Sequence, residues 1–450
     1  MPTPHEERFD VVIIGGGPAG SSSATVLSQA GYSVLVLERL QFPRFHIGES
    51  MLTYSAAIFD QLGVGDAVRA ANFPVKKGAE FCNPDGSFRR VDFADQGQHR
   101  MSSTYQVERA DFDQLLLEHA SASGATVRHG AKVTQLVLDG ERVTGVRYTL
   151  DGTTTVVHAR RVIDASGRAG VIANQHLKAR KIADKLRMVA VFKHFGDVDE
   201  TTNPGTPGDI QIGSHPDGWV WAIPIRPDKL SVGTVTRPET LKRLTPEGVY
   251  AEHLARIPRI SGRVANATPL TGLHTESDFT YYSETVSGPG FFVVGDAGCF
   301  VDPIFSAGVL LAIATGMRAG KLTADLLAGR LSEADAIASY DRFYKTGYDT
   351  YFRLIYAFYE HDFKIGRFLK SSGVWVEPVW VARLLGGDFW SEKNALANHL
   401  RGIAEYQTFA PFEPLFGCPV YPGLDEQESA DVALDEVPAA VLLSLIHRQE

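Results

Sequence analysis

The chain's 450 residues are enough for two or three domains, and at that length folding buries enough surface to need no disulfide or metal staple. Hydrophobic residues at 44% and charged residues at 22% exclude a disordered or fibrous chain; a net charge of −9, from 44 basic against 53 acidic residues, speaks against a nucleic-acid surface. Three scattered cysteines (Cys82, Cys299, Cys418) make neither a disulfide framework nor a zinc site, and no apolar run approaches the ~20 residues that span a bilayer.

The first ten residues, MPTPHEERFD, carry acids and no apolar signal core, so a cytoplasmic protein is expected. Residues 9–14 (FDVVII) predict a buried parallel strand. They run into Gly15-Gly16-Gly17-Pro18-Ala19-Gly20, a G-x-G-x-x-G turn. An amphipathic helix to Gln29 follows, then a second strand over 33–37 that ends at Glu38 and Arg39. Each part has a chemical reason: Gly15 makes the turn, Gly17 lets backbone approach a pyrophosphate, and Gly20 lets helix pack on strand. Phosphate then sits on the helix N-terminus beside Ala19, and Glu38 is placed for ribose hydroxyls. Strand, helix, strand and acid in this order predict a dinucleotide site, which a Gly-rich turn alone would not.

Next come the loop Phe45-His46-Ile47-Gly48-Glu49-Ser50 and the segment Phe73-Pro74-Val75-Lys76-Lys77-Gly78-Ala79, whose adjacent lysines are alternatives for an inward position. Tyr105-Gln106-Val107-Glu108-Arg109 precedes Phe112-Asp113. Residues 131–163 hold three strand-like runs separated by Asp139-Gly140 and Asp151-Gly152, both type I′ hairpin signals. Asp164-Ala165-Ser166-Gly167 closes the last of them. Further strands are expected at 188–195, 218–224 and 230–235. In Gly218-Trp219-Val220-Trp221-Ala222-Ile223-Pro224 the alternation puts both tryptophans on one face.

Residues 291–297 (FFVVGDA) end a strand on Gly295-Asp296 and open a helix. Phe300-Val301-Asp302-Pro303-Ile304-Phe305-Ser306-Ala307-Gly308 turns after Pro303, and its small residues before a helix offer backbone N–H groups to an anion. Ser332 and Asp335 predict a helix start of capping-box type. The stripe Tyr340, Phe343, Tyr344, Tyr348, Tyr351, Phe352, Ile355, Tyr359 predicts a core helix, with a tunnel for an aromatic ligand as the alternative. Trp375, Trp380 and Trp390 belong to the same helical region. The tail, acidic and then apolar over 439–446, docks as a final helix or is loosely held. Fourteen histidines show no metal-ligand spacing, so no metal site is expected.

Two of these segments, Gly295-Asp296 and the one ending at Arg109, resemble FAD-dependent hydroxylase-like proteins. The resemblance implies FAD, with Asp296 on the ribityl chain, Arg109 near the flavin, and Asp164 and Gly295 at the cofactor. W-x-W-x-I-P over 219–224, F-x-x-P-x-x-S-x-G over 300–308 and K-x-G at Lys76 resemble FAD-dependent halogenases of the phenol or pyrrole type, including those acting on carrier-bound substrates. Together they cover about residues 9–320.

The fold implied is α/β: a Rossmann-like, class A monooxygenase-like FAD-binding domain over 1–328, interwoven with a β-sheet substrate domain inserted at about 180–285, and a helical C-terminal region over 329–450. The chemistry implied is halogenation of an electron-rich aromatic, free or tethered to an acyl carrier protein. FADH2, O2 and chloride or bromide make hypohalous acid, which Lys76 (or Lys77) relays. Ser306, Ala307 and Gly308 hold the halide; Pro303, Gly48, Glu49 and Ser50 line the flavin, with His46 in the same loop as the last three. Trp219 and Trp221 keep substrate from the flavin. Tryptophan halogenases carry a glutamate where Phe305 stands, so the resemblance points away from tryptophan. Asp278 reads as a turn aspartate and, by resemblance, as a position where a flavin can attach covalently. No second G-x-G-x-x-G serves NAD(P)H, so a separate flavin reductase is expected to supply FADH2. The rival on this fold is an FAD-dependent aromatic hydroxylase or a polyprenyl-type reductase, which needs neither Lys76 nor the tryptophan pair.

Overall fold

The structure, a computed structural model, describes residues 5–96, 102–198, 205–277 and 280–422; Asp278 and the 439–446 tail lie outside them. The chain begins with β1 (His5–Ile14), α1 (Pro18–Gln29), β2 (Val34–Leu37), α2 (Tyr54–Leu62) and α3 (Gly65–Ala70). It continues through β3 (Val75–Lys76), β4 (Gly78–Cys82), β5 (Phe88–Asp92), β6 (Thr104–Tyr105), α4 (Arg109–Ala122) and β7 (Thr126–Arg128). Next are β8 (Lys132–Asp139), β9 (Arg142–Leu150), β10 (Thr153–Asp164), β11 (Arg180–Ile182), β12 (Val189–Gly196), β13 (Ile210–His215), β14 (Gly218–Arg226) and β15 (Lys229–Thr236). After α5 (Pro246–Ala255) and α6 (Pro258–Arg263) lie five short strands, β16 (Thr268–Pro269), β17 (His274–Ser277), β18 (Tyr281–Ser283), β19 (Ser287–Gly288) and β20 (Phe291–Val293). Two long helices follow, α7 (Gly308–Leu327) and α8 (Glu333–Glu360).

The first sheet runs β19-β20-β10-β1-β2-β7, with β20, β10, β1, β2 and β7 parallel. Its central strands are apolar, and Val11, Val12 and Ile13 are fully buried. Gly316 of α7 lies so close to α1 that an added Cβ would strike the Ala19 carbonyl, and Ser23 Oγ donates to Gly316 O at 2.8 Å. The β8-β9-β10 meander appears where its turn signals predict. Asp151 (φ +49) and Gly152 (φ +77) fit type I′, but at the other turn only Gly140 (φ +58) is left-handed, the pattern of type II′.

The second sheet runs β16-β12-β15-β14-β13-β4-β5, with β17 also on β12. It takes β4 and β5 from residues 78–92, outside the 180–285 stretch, because β4 pairs in parallel with β13. Parallel pairing between distant segments leaves no local spacing signal.

Gly295–Ala297 makes only a 3-10 turn, and the helix expected there begins later, at Gly308. Ser332 caps α8 by accepting from Asp335 N at 3.1 Å, a contact that contributes about 1 kcal/mol. The aromatic stripe of α8 is buried throughout, as a core helix requires. Its hydroxyls clamp the end of β20 and the turn after it: Tyr340 donates to Val293 O (2.7 Å) and Tyr344 to Gly295 O (2.8 Å). Trp390 stacks on Phe343 while Trp375 is 64% exposed. No helix among the described residues is long and apolar enough to cross a membrane.

Candidate active site

A cavity of about 750 Å³ opens along the C-terminal ends of β1, β2 and β10. Gly15 (φ +103) turns the chain where any side chain would meet the Ala165 carbonyl, and Gly20 is pressed on the Gly15 carbonyl. Gly17 is different. Its φ is −71° and an added Cβ would meet only Arg44 Nη2 at 3.4 Å, so the space beside it is left for a ligand. The first turn of α1 has no side-chain cap and no acid; its unpaired amides and the helix dipole favour an anion. Arg44, which sequence reasoning missed, lines the same region with Nη1 buried and unpartnered. A diphosphate fits this donor set.

Glu38 accepts from Gly16 N and Leu40 N, both at 2.8 Å, which fixes its carboxylate at the cavity wall beside Arg39. Arg109 grips Asp113 at 2.7 and 2.9 Å and donates to Ile47 O at 2.6 Å. It thereby shapes the Gly48 turn (φ +102), whose lining residues include His46, Gly48, Glu49 and Ser50. Asp296 and Pro303 also line the cavity. Burial pushes the Asp296 carboxyl up to about 7 against the pull of Arg109, Arg168 and Arg180; hydroxyls of a bound cofactor can solvate it. Asp164 departs from expectation: it is fully buried, outside the cavity wall, with its oxygens taken by Ser166 N (3.1 Å) and Ile172 N (2.6 Å). It holds the Ala165–Gly167 turn. Gly295 (φ +54) and Gly20 likewise act behind the wall.

At the other end stand Trp219 and Trp221, 2% and 4% exposed, with ring centroids 5.5 Å apart. Both face the cavity from one side of β14. Gly233 on β15, opposite Trp221, has no room for a side chain because the indole fills it. Glu49 Oε1 bonds His194 Nε2 at 2.8 Å while Oε2 is buried without a partner.

The loop between Pro303 and α7 closes this end. Ser306 is held at φ +59, a left-handed conformation costly outside glycine. Its amide, one of three expected to bind an anion, donates instead to Pro303 O at 3.0 Å. The amides of Ala307 and Gly308, at the start of α7, have no intrahelical partner; that of Ala307 is turned to the Tyr351 hydroxyl, and of these residues Ser306 and Gly308 line the cavity. Behind the loop, Tyr359 donates to Asp302 Oδ2 at 2.5 Å and Ile304 N to Oδ1 at 2.9 Å. Burial pushes Asp302 up to about 7.

Lys76 lies on the far side of that loop. It lines a second, small cavity of about 30 Å³ with Leu52, Phe93 and Phe305; Ser306 and Ile210 line both cavities. The residue is 3% exposed, and its Nζ donates to Ser50 Oγ (2.9 Å) and Met51 O (3.0 Å). Burial pulls its pKa down to about 7, opposed by Asp209. Lys77 points outward. The pairing of β3 with β6 sets Lys76 opposite Thr104 and decides between them.

Residues 8–342 match a family model described as FAD binding domain. A tryptophan 2-halogenase of Chondromyces crocatus is 36% identical over 359 residues, 78% of this chain and 67% of that protein. A brominase of 1H-pyrrole-2-carbonyl groups on a peptidyl-carrier protein, from Pseudoalteromonas luteoviolacea, is 33% identical over 70% of this chain and 76% of its own. The solved flavin-dependent brominase Bmp2 superposes with a TM-score of 0.79 at 30% identity, over 88% of this chain and 98% of that one.

Proposed function

The chain belongs to the flavin-dependent halogenases, built on the FAD-binding domain family, and from that premise we propose that it halogenates an electron-rich aromatic ring through Lys76. It is an FAD- and halide-using oxidoreductase. The observation that carries the finer reading is the pair of cavities separated by the Ser306 loop, with Lys76 in the small one.

When bound and reduced, FAD supplies with O2 the oxidising power that turns halide into hypohalous acid. The start of α1 and Arg44 hold its diphosphate, Glu38 a ribose and Asp296 the ribityl chain. The Gly308 amide and the Ser306 hydroxyl, with Ala307 between them, hold chloride or bromide. Trp219 and Trp221 wall off organic substrate, so oxygen transfer to carbon is excluded. Lys76 stands across the loop. With a pKa near 7 much of it is neutral at that pH, and its lone pair can take halogen from hypohalous acid, giving a haloamine and water. In its charged form it can hold the oxidant by hydrogen bond. The aromatic ring then accepts the halogen and gives up a proton.

The carrier-linked pyrrole relative supports a tethered substrate; the tryptophan 2-halogenase relative supports an indole, although Phe305 leaves no acid at that position. A separate reductase supplies FADH2. The test is a panel of phenols, tryptophan and carrier-bound pyrroles, with FADH2, O2 and bromide, read by mass spectrometry. Lys76→Ala is expected to keep FAD and lose at least ~100-fold in halogenation, on the scale of losing a catalytic group. A hydroxylated or hydrogenated product that is independent of bromide would favour the hydroxylase or reductase reading.

A further inference from the structure

Away from both cavities, three ligating side chains meet at the tip of the β13–β14 hairpin. His215 ends β13, Asp217 lies in the turn before Gly218, and His253 faces them from α5. One ligand atom of each lies within 4.8 Å of the others, the only such group among the described residues. The imidazole centroids are 4.2 Å apart. His215 is 4% exposed and His253 fully buried, yet Nε2 of each has no hydrogen-bond partner. One orphaned buried nitrogen is unfavourable; two side by side call for a common partner.

The surrounding contacts prepare the rings for one. Thr234 Oγ1 donates to Trp219 O at 3.0 Å, so at its other contact, 3.0 Å from His253 Nδ1, it accepts. The His253 proton is therefore on Nδ1 and the Nε2 lone pair is free, the arrangement that orients a metal-binding imidazole. Arg256 holds Asp217 Oδ2 at 2.7 Å, which fixes the carboxylate and leaves Oδ1. His215 Nδ1 has only a long 3.3 Å contact from Asp217 N; giving that up moves the ring proton to Nδ1 and frees Nε2.

We propose that His215, Asp217 and His253 bind a divalent transition-metal ion of the zinc class. Two imidazole nitrogens and one carboxylate oxygen, with water as a fourth ligand, suit that ion's tetrahedral preference. The ion pins α5 to the hairpin, one residue from the strand that carries Trp219, and so stiffens the wall of the cofactor cavity without touching the cofactor. The three ligands are separated by one residue and then by thirty-five, a spacing that matches no metal motif.

The test uses untagged, FAD-loaded protein, freed of metal by a chelator and dialysed against ZnCl2, with metal content and thermal unfolding as readouts. About one Zn2+ per chain and a Tm raised by several degrees are expected, because the ion binds only the folded state. His253→Gln and the His215→Gln, His253→Gln double variant should lose the zinc. Thr234→Ala, which removes the Nδ1 acceptor together with the bond to Trp219 O but no ligand atom, should weaken it about tenfold. Wild-type zinc content no higher than the double variant's overturns the proposal, as does stoichiometric zinc that the double variant retains. Should these variants lose FAD, a zinc-soaked wild-type crystal decides: an anomalous peak between His215 and His253 supports the site, and its absence overturns it.

Discussion

Lys76 Nζ and Ser50 Oγ are 2.9 Å apart, and this one hydrogen bond joins the two cavities. Ser50 lines the large cavity and Lys76 the small one. The serine oxygen accepts from the amine, so it favours the charged lysine and partly offsets the burial that pulls Lys76 down to about 7.

Ser50→Ala should therefore lower the Lys76 pKa further. A hydrogen bond to a charged group contributes about 1.5 kcal/mol, equivalent to roughly one pH unit. If neutral Lys76 is the active form, the acidic limb of the halogenation rate moves down by about that much. FAD absorbance checks that the cofactor is retained. An unmoved limb would show that Lys76 does not titrate in the rate.

Gly17→Ala and Gly20→Ala should part company. At Gly17 the backbone is ordinary and only the end of Arg44 is near, so the variant folds and the diphosphate alone feels the new methyl. FAD affinity is expected to fall more than ~10-fold, about the effect of 1.4 kcal/mol. At Gly20 the methyl strikes the Gly15 carbonyl, so the variant should lose thermal stability before cofactor binding can be measured.

Trp221→Phe should leave the strand folded while opening a gap where the indole met Gly233. A large-to-small change in a buried site costs about 1–3 kcal/mol when the ring is partly replaced. If Trp219 and Trp221 form a barrier, oxygenated by-product rises relative to halogenated product. An unchanged product ratio, in both this variant and Trp219→Phe, would remove the barrier role.

Asp302→Asn tests the carboxyl behind the Ser306 loop. Its folded pKa, about 7, lies above the ordinary carboxylate value of 3.8. Between those values the folded state holds a proton that the unfolded state has released. This contribution to stability is full below pH 3.8 and is lost as pH rises through 7. The asparagine keeps an acceptor for Tyr359 and does not titrate. Its Tm should fall less between pH 4 and 7 than that of the parent, whose Asp302 changes charge over that range.

The cofactor half of the molecule was legible in the sequence because its signals are local. A β-branched run, three glycines and an acid fall within thirty residues, and steric rules act at that range. The Ser332 cap and the Asp151-Gly152 turn are local in the same way. What tertiary structure alone decided depends on pairings across the chain. The K-x-G resemblance favours Lys76 and leaves Lys77 as the alternative; the register of β3 against β6, set 28 residues away, turns Lys76 inward. Asp302 meets Tyr359 across 57 residues, and β4 finds β13 across more than a hundred. His215 and His253 come together only when α5 packs on the hairpin. Short-range periodicity encodes which segment forms a helix or strand, but packing of distant faces determines which side chains share a buried space, and with it their protonation and partners.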